Sequence, residues 1–148
     1  MNIETTIKTL SQRWMEAAAN NDLDAVMALY HTDIRSFDAI LALQVEGAAA
    51  YREHWGKCME SCPGDPFFEM YDLKVEASNS LAVAHSLTYC GATLDGEKQG
   101  GWMRGTQVWR RDGEQWRIVH EHFSCPFNPE DMSLIMEWQP SHDPVRVN

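Results

Sequence analysis

Gly105-Thr106-Gln107-Val108-Trp109-Arg110-Arg111-Asp112-Gly113-Glu114-Gln115-Trp116-Arg117-Ile118-Val119-His120-Glu121-His122-Phe123-Ser124 is the stretch on which the fold is decided. Two β-rich segments flank Asp112-Gly113. A tight turn needs φ > 0, and glycine supplies it without a Cβ clash, so the stretch predicts a β-hairpin. The segment after the turn alternates strictly. Trp116, Ile118, His120, His122 and Ser124 fall on one face, and Arg117, Val119, Glu121 and Phe123 on the other. Both faces carry titratable groups, unlike an ordinary core strand. One face is expected to meet a pocket and the other a partner.

Upstream, Ile3, Ile7, Leu10 and Trp14 make one apolar stripe, which predicts a helix over about residues 3–20. Asp22 caps a second, short helix through Tyr30, with Leu23, Val26, Met27 and Tyr30 inward. Residues 34–38 and 41–46 read as short strands. A third helix over about 48–61 is stopped by Cys62-Pro63-Gly64-Asp65-Pro66. Strands are expected at about 67–77, 81–93 and 101–111, before the last one. Helices in front and strands behind predict an α+β fold, helices packed on one face of a curled antiparallel sheet. Residues 1–127 form one domain and 128–148 an extension. Asn128, Pro129, Glu130 and Asp131 carry helix-start signals, so a short helix over about 129–138 is expected, with residues 139–148 a loose end.

The 148 residues suffice for one sizeable core, and 44% hydrophobic content excludes a disordered chain. The net charge of −10 divides evenly: residues 1–66 carry 5 basic and 10 acidic side chains, and 67–148 carry 7 and 12. Without a basic patch, neither nucleic acid nor an anionic membrane is expected as a partner. No apolar run approaches the roughly 20 residues of a spanning helix, and the cytoplasm is the expected location. Cys58, Cys62, Cys90 and Cys125 form no C-x-x-C and read as structural thiols.

Asn21-Asp22-Leu23-Asp24-Ala25-Val26-Met27-Ala28-Leu29-Tyr30, Val45-Glu46-Gly47 and the hairpin together resemble the nuclear transport factor 2-like superfamily, in its SnoaL-like and ketosteroid-isomerase-like branch. The hairpin is similar to that of the association domain of calcium/calmodulin-dependent kinase II, through Thr106, Val108, Trp109, Arg110 to Gly113, Trp116, Val119, His120, His122 and Ser124. The resemblance covers about residues 3–125. It implies a cone, in which a bent, mixed sheet of the cystatin-like kind wraps three helices around an apolar pocket. It also implies a homodimer through the outer sheet face. The superfold hosts isomerases, cyclases, dehydratases, binding proteins and assembly modules, so it does not itself fix the function.

Asp38 is the first candidate for chemistry. A carboxylate in an apolar cavity becomes a better base near neutral pH, and its position resembles that of the isomerases' proton-shuttling Asp. A turn Asp bonded to its own backbone is the competing reading. The isomerases stabilise their dienolate with a Tyr and a protonated Asp. Here those positions read Trp14 and Gln107, both neutral donors. Glu121 is expected to face the cone as a second proton carrier, as a receptor for a cationic group, or as half of an ion pair. Met103, Gly105, Gln107 and Trp109 face inward by the same resemblance. The kinase association domains carry pocket arginines where this chain reads Ser86, Gln107 and Phe123, so their route to anionic ligands is not implied.

His120, His122 and Ser124 share the outer face. They read as interface or structural groups, beside two alternatives: a zinc site completed by His85, or a Ser124 nucleophile. No third ligand stands at a recognisable spacing and no G-x-S-x-G is present, so no metal is assigned. Trp14, Tyr30, Tyr51, Trp55, Met59, Trp109 and Phe123 would line the pocket, suiting a small, flat apolar molecule. The same rings could instead fill a solid core. Together these residues suggest proton transfer beside a carbonyl, without a redox cofactor, or non-catalytic ligand binding or assembly on the same fold.

Overall fold

The computed structural model describes residues 2–138. Asn2 caps the first helix, α1 (Ile3–Ala19), its Oδ1 accepting from the Thr5 amide at 2.8 Å. The stripe predicted from spacing is the buried face, with Ile7 and Trp14 fully enclosed. Asp22 caps α2 (Leu23–Met27) by accepting from the Ala25 amide at 3.1 Å. This helix is shorter than expected, and Tyr30 belongs to the strand β1 (Tyr30–Phe37) instead of a helix end. The reason is non-local: the Leu29 carbonyl accepts from Ile118 N at 2.8 Å, so pairing with the last strand overrides the helical pattern. Leu41, at φ 68°, interrupts the expected second strand, and only β2 (Val45–Glu46) remains. Then follow α3 (Ala48–Glu60), β3 (Asp65–Ala77), β4 (Leu81–Leu94), β5 (Glu97–Asp112) and β6 (Gln115–Ser124).

The six strands form one sheet in the order β2-β1-β6-β5-β4-β3. Every pairing is antiparallel except β1 with β6, which makes the α+β sheet a mixed one. The decisive hairpin is present, with its two-residue loop one position later than expected, at Gly113-Glu114, where Gly113 takes φ 65°. β5 begins four residues before the expected 101, because Asp95-Gly96 (φ 52° and 80°) supplies the same kind of turn.

A bulge corrects the expected strand faces. Trp109 pairs with Ile118 and Val108 with His120, so Val119 is the extra residue. Upstream of it the alternation flips. Trp116 and Ile118 turn into the core instead of joining the histidines outside, and Val119 leaves the inner face. Glu121 and Phe123, downstream, stay inward and buried.

The extension is not a helix. Asn128 Oδ1 does accept from the Glu130 amide at 3.0 Å, but Met132 takes φ 61° and the chain doubles back through a Phe127–Leu134 bridge. The Met136 carbonyl then accepts from Trp102 N at 2.9 Å, and Trp138 packs edge-on to Trp102 with centroids 5.0 Å apart. Docking on the sheet edge replaces the local helix. The expectation for residues 139–148 lies outside the described residues. Among the described residues, no helix is long and apolar enough to cross a membrane.

Candidate active site

The inner face of the sheet and the helices border a cavity of about 380 Å³ that opens to solvent. Its wall is mainly apolar, with Trp14, Tyr51, Trp55, Met59, Phe68 and Phe123 among its residues. Five of the expected lining residues therefore meet there. Tyr30 and Trp109 do not reach the wall, although both are buried in the core beside it. The Trp14 and Phe123 rings stack at 5.7 Å, while Phe68 and Trp55 meet Trp14 edge-on at 4.8 and 6.0 Å. These geometries favour ring quadrupoles and hold the wall rigid.

Asp38 stands just past the end of β1 and on the cavity wall. It is not an exposed turn residue, since its side chain is only 14% accessible. Its Oδ2 lies 2.8 Å from His54 Nε2 on α3. Sequence reasoning missed His54. The signal was present, because His54 follows Tyr51 by three residues and so shares the face with Tyr51, Trp55 and Met59. The Tyr51 and His54 rings stack at 5.9 Å and 21°, fixing the imidazole. Cys58 Sγ lies 3.9 Å from the same Nε2. Cys58, Cys62 and Cys90 all reach the wall as free thiols. Burial pushes the Cys90 thiol up to about 12, with smaller contributions from Cys125 and Asp38, so it stays protonated and unreactive at neutral pH.

Glu121 lies behind this wall and is fully buried. Gln107 Nε2 donates to its Oε1 at 2.7 Å, the Tyr30 hydroxyl donates to its Oε2 at 2.7 Å, and the Tyr51 hydroxyl donates to Oε2 as well. The Trp14 indole N–H donates to the Tyr30 oxygen at 2.8 Å. Desolvation pushes the Glu121 carboxyl up to about 7, against the pull of its three donors. Burial and the Glu121 charge raise both tyrosines well above their ordinary value, so they remain donors. Of the two donors expected for an oxyanion, Trp14 spends its single N–H inside this network, and Gln107, bonded to Glu121, does not reach the wall. Tyr51 alone among its members has both a place on the wall and a bond to Glu121.

The remaining candidates lie outside. His120 Nδ1 donates to the Arg35 carbonyl at 2.7 Å, His122 is exposed beside Phe37, and Ser124 Oγ accepts from Arg104 at 3.2 Å. Among the described residues, no three His, Cys, Asp or Glu side chains are grouped to hold a metal ion.

The SnoaL-like domain matches residues 7–128. No curated protein matches the chain. Among solved structures, a nuclear transport factor 2-like protein of unknown function from Pseudomonas putida is 44% identical, with TM-score 0.87 over 93% of this chain and 96% of that one. A candidate ketosteroid isomerase from Parabacteroides distasonis is 29% identical, with TM-score 0.67 over 83% and 87% of the two chains. A candidate calcium/calmodulin-dependent kinase II association domain from Xanthomonas campestris shares the fold at 18% identity, with TM-score 0.70 over 80% and 84%.

Proposed function

Because this chain belongs to the SnoaL-like domain family, we propose that it binds a small apolar carbonyl compound in the cone and moves a proton beside the carbonyl. The reaction class is isomerisation, cyclisation or dehydration, without a redox cofactor. The observation that carries this reading is the Asp38–His54 contact of 2.8 Å on the wall of an apolar cavity. A carboxylate there meets little competing water, and an imidazole beside it both orients it and can hand a proton on. Asp38 acts as the base. His54, bonded to Asp38 through Nε2, orients the base and relays its proton, while the Trp14 N–H is bonded to Tyr30 and Gln107 is bonded to Glu121 behind the wall. The structural likeness to a candidate ketosteroid isomerase supports the same reaction class.

The reading includes a homodimer through the outer sheet face. Support comes from Leu41 and Leu43, which stand 85% and 95% exposed. Leu43 also borders a groove of about 550 Å³, together with Phe37, Asp38, His122 and Leu134. A protrusion and a recess on one patch suit a two-fold interface.

The test begins with thermal melting against flat ketones and enones, where a ligand at about 100 times its dissociation constant adds roughly 2.7 kcal/mol of stability. Hits are then incubated in deuterated water, and exchange of the protons next to the carbonyl is followed by NMR. Asp38→Asn should slow exchange by about 10²–10⁴-fold while keeping the ligand-induced shift. Unchanged exchange removes Asp38 as the base. Binding without any exchange in the wild type makes the protein a ligand-binding domain instead.

A further inference from the structure

The charge inventory of the cavity is one-sided. Among the described residues that line it there is no lysine or arginine, while Asp38 is a carboxylate on the wall. Three cations on the surrounding elements are paired with surface carboxylates. Arg52 pairs with Asp24, Lys57 with Glu53 at 3.3 Å, and Lys98 with Glu69 at 3.3 Å. Behind Tyr51 lies the second carboxylate, Glu121, whose three partners are all neutral. The charge of Asp38 is felt across the site, since it helps to raise Tyr51, Cys58, Cys90 and Glu121. The wall is otherwise aromatic, through Trp14, Tyr51, Trp55, Phe68 and Phe123.

An apolar, ring-lined cavity with a carboxylate, no lysine or arginine, and a histidine already bonded to that carboxylate is poorly suited to anions. It suits a cation whose charge lies close to the carboxylate and whose apolar body meets aromatic rings, because ring quadrupoles attract positive charge. The net charge of −10 would draw such a ligand toward the protein.

We infer that the cavity selects hydrophobic cations, an amine or quaternary ammonium group seated beside Asp38 among the rings of Trp14, Tyr51 and Trp55. This rests on the proton-transfer reading of the same site only for its consequence, which is that the substrate carries a positively charged nitrogen as well as a carbonyl. Binding itself can be tested without turnover.

The probe pair is benzyltrimethylammonium and its neutral isostere neopentylbenzene, with 3-phenylpropionate as the anion. Affinities for the full chain are read by tryptophan fluorescence in a mildly alkaline buffer, where an imidazole is ordinarily neutral. The cation should bind about tenfold or more tightly than the isostere, and the anion should not bind measurably. Asp38→Asn should bring the cation and isostere together. Equal or tighter binding of the neutral or anionic probe overturns the inference, as does no binding of the cation up to millimolar concentration. A preference that survives in Asp38→Asn overturns the seat at Asp38. Should that variant fold poorly, the wild-type ranking decides alone. Carbonyl exchange is not measured here, so failure of cation selectivity and failure of proton transfer are separate results.

Discussion

The two inward carboxylates of this cone are treated in opposite ways. Glu121 has no access to solvent and three donors, while Asp38 keeps a small accessible surface, a single imidazole contact and a place on the cavity wall. A fully buried carboxylate held by three donors serves the fold, because most of its acceptor capacity is already used. A carboxylate held by one partner at a cavity is available to a ligand. The perturbed value alone would point to Glu121 as the functional acid, since it is the one pushed up to about 7. Geometry points instead to Asp38. Burial shifts a pKa whether or not a substrate can reach the group.

Breaking the Glu121 network should have the largest effect on stability. Glu121→Ala leaves the buried Tyr30 and Tyr51 hydroxyls and the Gln107 amide without their shared acceptor. The expected loss is roughly 3–5 kcal/mol, measured as a shift of the urea midpoint. A loss under about 1 kcal/mol would mean that the network is not structural.

The next effect is a pH dependence that belongs to Glu121. Its carboxyl rises from 4.5 to about 7 on folding, so between those values the folded state holds a proton that the unfolded state has released. Stability from this group is fully present below about 4.5 and is lost as pH rises toward 7. It amounts to about 3 kcal/mol across the window. Glu121→Gln removes the titration, so the wild-type profile should fall relative to the variant over that range. Parallel profiles would show that the three donors cancel the desolvation.

The same contrast explains what the chain disclosed about itself. The hairpin, the α1 stripe and the Asp22 cap depend on residues a few positions apart, and they were legible. Alternation put Glu121 on one face with Phe123 and the family resemblance turned that face inward, but its partners lie 91, 70 and 14 residues away, beyond any local pattern. Trp116 and Ile118 were misplaced because one extra residue, Val119, flips a strand without leaving a composition signal. Residues 129–138 carried sound helix-start signals that docking of Met136 and Trp138 on the sheet overrode. His54 was legible in principle, as its helical spacing from Tyr51 brings it to the face opposite Asp38.

Tyr51 joins the two regions, and Tyr51→Phe separates them by one atom. The ring remains to stack on His54 and line the cavity, while Glu121 loses one of three donors. The expected cost is about 1–2 kcal/mol of stability, with cavity binding unchanged. If ligand binding falls while stability does not, Tyr51 serves the cavity more than the network.

Asp38→Asn should have the smallest effect on stability. Asn still offers an oxygen to His54, and Asp38 lies at the edge of the protein interior, with 14% of its side chain accessible. The change in urea midpoint should correspond to about 1 kcal/mol or less, at an unchanged slope. Set beside the loss from Glu121→Ala, this small cost would mark Asp38 as a residue the fold can replace. A cost as large as that of Glu121→Ala would instead make both carboxylates parts of one structural network, and the cavity would lose its candidate base.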